Sequence, residues 1–141
     1  MFRQNIYVTV DAVVFGRIDQ QLHILLVKRG HDPFKDMWAL PGGFVEHDED
    51  LEPAAIRELY EETNIQLKQM QLLFAVGTPG RDPRMRTISI VYTAEINSSE
   101  HMVKGGDDAK EAGWWNTNNL PPLAFDHKKI IEHALAHRSA H

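Results

Sequence analysis

Two apolar runs near the N-terminus, IYVTVDAVVF (residues 6–15) and LHILLVKR (22–29), constrain the fold more than any other feature of the chain. Both are dense in β-branched and aromatic residues, which suit a pleated surface, and the polar GRIDQQ between them supplies a turn. Two adjacent strands are therefore expected at the start. WALPGGFVE (38–46) reads as a short strand interrupted by Pro41, Gly42 and Gly43, where the backbone must turn or approach something closely. A helix follows, with Asp50 as its N-cap and Pro53 tolerated in a first turn whose amides lack intrahelical partners. QMQLLFAVG and RTISIVYTAEI are two further strands joined by the basic loop TPGRDPRM, and EAGWWN is a short one. The proline-rich NNLPPLAFD leads into a last helix from about His127, where Ile130, Ile131, Ala134 and Leu135 form one apolar face behind an Asp126 N-cap. Strands, helix, strands, helix in that order imply an α/β or α+β sandwich around a mixed sheet.

At 141 residues the chain has room for one core, so a single domain over residues 1–141 is expected. The absence of cysteine excludes disulfides and thiolate metal sites. The N-terminus lacks the apolar core of a signal peptide, and no stretch approaches membrane-spanning length. A cytoplasmic protein without a membrane partner is the expectation. The net charge of −5 argues against nucleic-acid binding, and its distribution is uneven. Glu46 to Glu62 carries eight acids and one arginine, about −7, leaving the rest of the chain near +2. An acid cluster facing a mildly basic remainder suits a metal-bridged anionic substrate.

The acids concentrate in RELYEETN, residues 57–64. At about 100° per residue, Glu61 and Glu62 lie roughly 60° and 40° to either side of Glu58, so all three share one helix face. Ile56, Leu59 and Tyr60 lie opposite. A solvated face would normally pair Glu with Lys four residues on, whereas Glu58 and Glu62 are like charges at that spacing. Arg57 is the available cation, placed to pair with Glu61 or to reach back toward Glu49. Carboxylates converging from one face are what a hard cation prefers, and the small residues of the preceding PGG leave backbone groups accessible to a metal or a phosphate.

Gly43, five residues, Glu49, seven residues and then RELYEETNI closely resembles the Nudix box, G-x5-E-x7-R-E-U-x-E-E-x-G-U, with U a bulky aliphatic residue. One position departs: the final glycine is Asn64. That glycine serves as a helix C-cap with positive φ, and asparagine is the best non-glycine substitute there. The resemblance implies a Nudix-type α/β/α sandwich and hydrolysis of a nucleoside diphosphate linked to another moiety, with Mg²⁺ or Mn²⁺ as cofactor. It implies Glu58 and Glu62 as metal ligands, a carbonyl of Gly42 or Gly43 as another, and Glu61 as a further ligand or the residue that polarises water. Glu49 and Arg57 would form an orienting ion pair. Some relatives take the base from a downstream loop, where Asp107, Asp108 and Glu111 are the candidates.

Substrate contacts in that family follow the box. GTPGRDPR and LPPLAFDHKKII resemble segments of the ADP-ribose pyrophosphatase subgroup, which implies conversion of ADP-ribose to AMP and ribose 5-phosphate. Arg81, Arg84, Arg86 and Arg29, with Lys28, are the candidate anion contacts. Phe34 and Phe125 are candidate stacking groups beside Trp38 and Phe44. Of Trp114 and Trp115, adjacent on a strand, one is expected in the core and the other exposed. His133, His137 and His141 repeat every four residues and are read as helix-end cations. A nucleoside triphosphate pyrophosphatase, including one that acts on oxidised nucleotides, is the alternative enzyme. A non-catalytic ligand sensor is the alternative outside catalysis, disfavoured by the intact carboxylates and by a chain that ends without a DNA-binding extension. A small nucleotide substrate and a homodimer complete the expectations.

Overall fold

Hydrophobic alternation along the first strand decides which layer each half of the molecule joins. The computed structural model describes residues 4–97 and 109–140. β1 (Ile6–Ile18) sends Val10, Ala12 and Val14 to one face of the sheet and Val13 and Phe15 to the other, as a two-residue period requires. The first set packs with Ala54, Ala55 and Leu59 of α1 (Leu51–Thr63), the second with Ile130, Ile131 and Ala134 of α2 (His127–Ala140). The sheet is thus buried between helices, the expected α/β/α sandwich. Trp114 and Trp115 of β7 (Ala109–Asn116) pack on opposite faces, each against a core, so neither is the exposed partner that alternation alone suggested.

The sheet is mixed. β1 runs parallel to β6 (Arg86–Ile96) and antiparallel to β2 (Gln21–Arg29), and β5 (Gln71–Val76) pairs antiparallel with β6. β3 (Trp38–Ala39) and β7 both pair with β2, while β4 (Gly42–Phe44) pairs with β1. The first hairpin is tighter than the polar GRIDQQ suggested. Its strands extend to Ile18 and Gln21, and the two-residue loop places Asp19 and Gln20 at φ 52° and 67°, which matches the twist of the flanking strands.

β4 carries Gly42 and Gly43 beside the α1 face that bears the glutamates. The segment from Leu123 to His127 docks on β3, with the Ala124 amide donating to the Trp38 carbonyl at 2.8 Å. These two placements bring the PGG corner, α1 and the N-terminus of α2 around one cleft.

Candidate active site

The cleft encloses about 490 Å³, with carboxylates at one end and arginines and aromatics at the other. Its acidic end is built by α1. Asp50 caps the helix by accepting from the Leu51 amide at 2.7 Å, and Asn64 ends it at φ 68°, its amide donating to the Tyr60 carbonyl. Between these caps Arg57 serves several carboxylates at once. Its guanidinium donates to Glu49 at 2.6 and 2.9 Å, to Glu58 at 2.9 Å and to Glu61 at 2.7 Å. Both partners expected from spacing, Glu49 and Glu61, are therefore engaged together. Glu62 turns the other way and accepts from the Gly42 amide at 2.7 Å.

The glycines are required by these contacts. A Cβ on Gly43 would stand 2.6 Å from the Glu58 carboxylate, and one on Gly42 would stand 2.2 Å from the Val10 carbonyl oxygen. Hydrogen bonding to Arg57 holds Glu49 below the usual carboxylate range, whereas burial pushes Glu58 up despite the same arginine. Glu58 is thus a half-buried carboxylate whose negative charge one shared guanidinium does not fully offset.

That imbalance is the ground on which a cation fits. Among the described residues no three carboxylates or imidazoles are drawn together into a ligating cluster, and Glu58 and Glu61 lean on Arg57. The donors nonetheless are all oxygen, three carboxylates beside open glycine backbone, which is the chemistry of Mg²⁺ or Mn²⁺.

The opposite end gathers residues from four segments. Arg29, at the end of β2, lies over the Phe125 ring at 4.8 Å, and Arg84 lies 5.8 Å from Phe125 and 6.0 Å from Phe44. Phe34 does not line the cleft. It packs edge-on behind Phe125 at 4.8 Å, and both aromatics have positive φ, 62° and 54°. Bulky residues rarely adopt that conformation, and such outliers concentrate at functional sites.

The three loop arginines separate by environment. Arg84 pairs with Asp82 and keeps its outer side exposed. Burial would raise the Asp82 carboxyl, but Arg84 holds it below its ordinary value. Arg81 is buried in the cleft wall, its fork closed on Asp126 at 2.8 and 2.9 Å, so it braces the site more than it offers a free contact. The same pairing takes the Asp126 carboxylate away from the helix-capping role expected of it. Arg86 does not line the cleft and donates to the Gly77 carbonyl.

Two site residues escape a motif-based reading. Asp11 is buried in the cleft floor, accepting from the Ser89 hydroxyl, with His127 Nε2 3.6 Å away. His127 in turn accepts from the Leu40 amide at Nδ1, 3.0 Å. A lone acid inside the apolar run VTVDAVVF was the available signal for Asp11; His127 offered none beyond opening a helix. Glu111 is exposed and pairs with Lys28 at 3.6 Å, whereas Asp107 and Asp108 lie outside the described residues. His133 stacks on Phe74 at 4.5 Å before the last turn of α2, whereas His137 lies in that turn as expected. His141 lies outside the described residues.

A family profile described as NUDIX domain matches residues 7–134. The chain is 47% identical over 130 residues to an ADP-ribose pyrophosphatase of Methanocaldococcus jannaschii, covering 92% of this chain and 76% of that one. It is 36% identical to the ADPR responsive transcriptional repressor NtrR of Acinetobacter baylyi over 91% of this chain, but spans only 52% of that protein. Among solved structures, the NUDIX domain of Shewanella oneidensis NrtR complexed with ADP ribose superposes with a TM-score of 0.88 at 36% identity, covering 96% of this chain and 90% of that one.

Proposed function

The chain belongs to the Nudix family, and from that premise we propose that this pyrophosphohydrolase cleaves ADP-ribose to AMP and ribose 5-phosphate. The observation that carries the reading is the polarity of the cleft: Glu46, Glu58, Glu61 and Glu62 at one end, an arginine-aromatic stack at the other. A diphosphate spanning the cleft would place its linkage near the carboxylates and its flanking groups against Arg29, Arg84 and Phe125. The 47% identical relative named for the same activity supports it.

We assign Glu58 and Glu62, with a backbone carbonyl of Gly42 or Gly43, to hold Mg²⁺ or Mn²⁺. The bound cation would neutralise diphosphate charge and lower the pKa of a coordinated water. Glu61 is assigned to accept the water's proton, within reach of the same face. Arg57 and Glu49 hold the helix carboxylates in register. Arg84 and Arg29 stabilise charge on the phosphates, with Phe125 as their platform. Arg81 keeps that platform in place through Asp126.

The proposal extends to one domain over residues 1–141, a cytoplasmic location, no nucleic-acid partner and a homodimer. No helix among the described residues is long and apolar enough to cross a membrane. Sedimentation velocity on the purified chain tests the dimer. Incubation with Mg²⁺ and separate ADP-ribose, NADH, dinucleoside polyphosphate and 8-oxo-dGTP substrates, with products resolved, tests the activity. ADP-ribose should be turned over with the highest kcat/KM and yield AMP. Preference for 8-oxo-dGTP would replace the substrate assignment. Binding of ADP-ribose without turnover would favour a second reading, a ligand sensor, for which the similarity to the ADPR responsive repressor speaks.

A further inference from the structure

The PGG corner that backs the carboxylates is held by three elements, one bond from each of three successive residues. The Pro41 carbonyl accepts from the Ala12 amide of β1 at 2.8 Å, and the Gly42 amide donates to Glu62 of α1 at 2.7 Å. The third bond comes from α2: the Leu40 amide donates to His127 Nδ1 at 3.0 Å. Leu40 and His127 are both buried, so this amide has no water to replace its partner.

His127 is suited to that role and to no obvious chemistry on substrate. An imidazole that accepts at Nδ1 carries its proton on Nε2, and that nitrogen faces the Asp11 carboxylate. Burial holds His127 below its ordinary value, which keeps the neutral, accepting form. Asp11 is fixed by Ser89 and lies beside Gly42 in the β1–β4 register, where a Cβ would come within 2.6 Å of its Oδ1. The imidazole therefore holds the corner through the Leu40 amide, with Asp11 facing its other nitrogen at 3.6 Å.

We propose that His127 is a positioning residue for the cation-binding end of the cleft: through Leu40 it sets the backbone of Gly42 and Gly43 against the α1 carboxylates. This rests on the cation reading given above. The adjacent Asp126 and Phe125 serve the opposite end, so three successive residues at the entry to α2 register both ends of the cleft. Partners that orient a metal site without touching the metal typically change affinity by roughly ten- to a hundredfold when removed.

The test is Mn²⁺ titration followed by electron paramagnetic resonance, without substrate, on the parent protein and on His127→Asn, His127→Gln and His127→Leu, with circular dichroism to confirm folding. His127→Leu should weaken Mn²⁺ binding roughly tenfold or more. His127→Asn, whose amide oxygen can replace Nδ1 as the acceptor for Leu40, should recover most of it. His127→Gln, which reaches toward Asp11 but past Leu40, should not. If His127→Leu fails to fold, the Asn and Gln variants decide by the same ordering. Equal Mn²⁺ affinity in the parent and all folded variants overturns the positioning role alone, as does an equal loss in Asn and Gln. A parent that binds no Mn²⁺ overturns the cation reading, and this one with it.

Discussion

The two ends of the cleft are assembled in opposite ways. At the carboxylate end the partners are near neighbours in sequence: Arg57 reaches Glu58, Glu61 and Glu49, which lie one, four and eight residues away. At the arginine end Arg81 meets Asp126 across 45 residues. A helix supplies its own neighbours, so charge on α1 can be adjusted for function without holding the fold together. Charge at the other end joins separate elements, and there the same side chains bear on stability as well as on the ligand.

The largest effect expected from this contrast is at Arg81. Its removal strands the Asp126 carboxylate at a mostly buried position, and breaking such a pair costs about 3–5 kcal/mol. Urea denaturation of Arg81→Ala should show that loss, and the paired Arg81→Leu, Asp126→Leu variant should recover much of it. An Arg81→Ala protein of unchanged stability but raised KM would make Arg81 a ligand contact like Arg84 and dissolve the contrast.

Glu58→Gln is its counterpart at the other end. Loss of one charge-stabilising group in an active site typically costs 10²–10³ in rate, about 2.7–4 kcal/mol. Here kcat should fall by that order while the denaturation midpoint does not. ADP-ribose binding measured by calorimetry should persist, because Arg29, Arg84 and Phe125 are untouched. A collapse of the fold in this variant would show that the carboxylate end is as structural as the other.

That division also sets what was legible in the sequence. The carboxylate end was readable because one helical period fixes which residues share a face, and because glycine, asparagine and aspartate mark corners and caps through their own backbone preferences. Asp50, Asn64 and the Arg57 pairs needed nothing beyond local geometry. The arginine end depends on which loops meet across the sheet, and no local rule reports that. Arg81, Arg84 and Arg86 look alike within TPGRDPRMR, yet one is closed on α2, one faces the cleft and one serves Gly77. Asp126 has the composition of a helix cap, but a guanidinium from another loop claims its carboxylate.

A smaller effect follows from the buried imidazole. His127 faces Asp11 and Asp126, which favour its protonation, and Arg81 and Arg29, which oppose it, but burial dominates and lowers its proton affinity from the ordinary 6.5. The unfolded chain therefore takes up a proton that the folded chain refuses. Stability from this group is fully present above about pH 6.5 and is lost as pH falls below it, by at most about 1.4 kcal/mol per pH unit. Denaturation midpoints from pH 7.5 down to 5.5 should show this slope in the parent and a flatter one in His127→Asn. Parallel profiles would assign the acid sensitivity to other groups.

Arg84→Lys probes the ligand end with the fold left intact. Lysine keeps the charge opposite Asp82 but loses the planar group over Phe44 and Phe125. Exposed cation-π contacts contribute about 0.5–1 kcal/mol, so KM for ADP-ribose should rise about two- to fivefold with kcat little changed. A change confined to kcat would move Arg84 from binding to charge stabilisation during the reaction.

The smallest effect belongs to the one position where the Nudix box departs from its pattern. Asn64 adopts φ 68° and donates its amide to the Tyr60 carbonyl, the geometry that glycine would provide without a Cβ penalty. Asparagine tolerates this conformation because its short polar side chain bonds locally, so Asn64→Gly should change stability by only a few tenths of a kcal/mol. A β-branched residue lacks that compensation, and Asn64→Val should cost about 1–2 kcal/mol. Neither change touches Glu58, Glu61 or Glu62, whose positions are set by the preceding turns, by Arg57 and, for Glu62, by the Gly42 amide. Activity per folded molecule should therefore stay near the parent's in both variants. If Asn64→Gly instead raised activity several-fold at unchanged stability, the cap would be tuning the carboxylates, and the local charge end of the cleft would depend on where its helix stops.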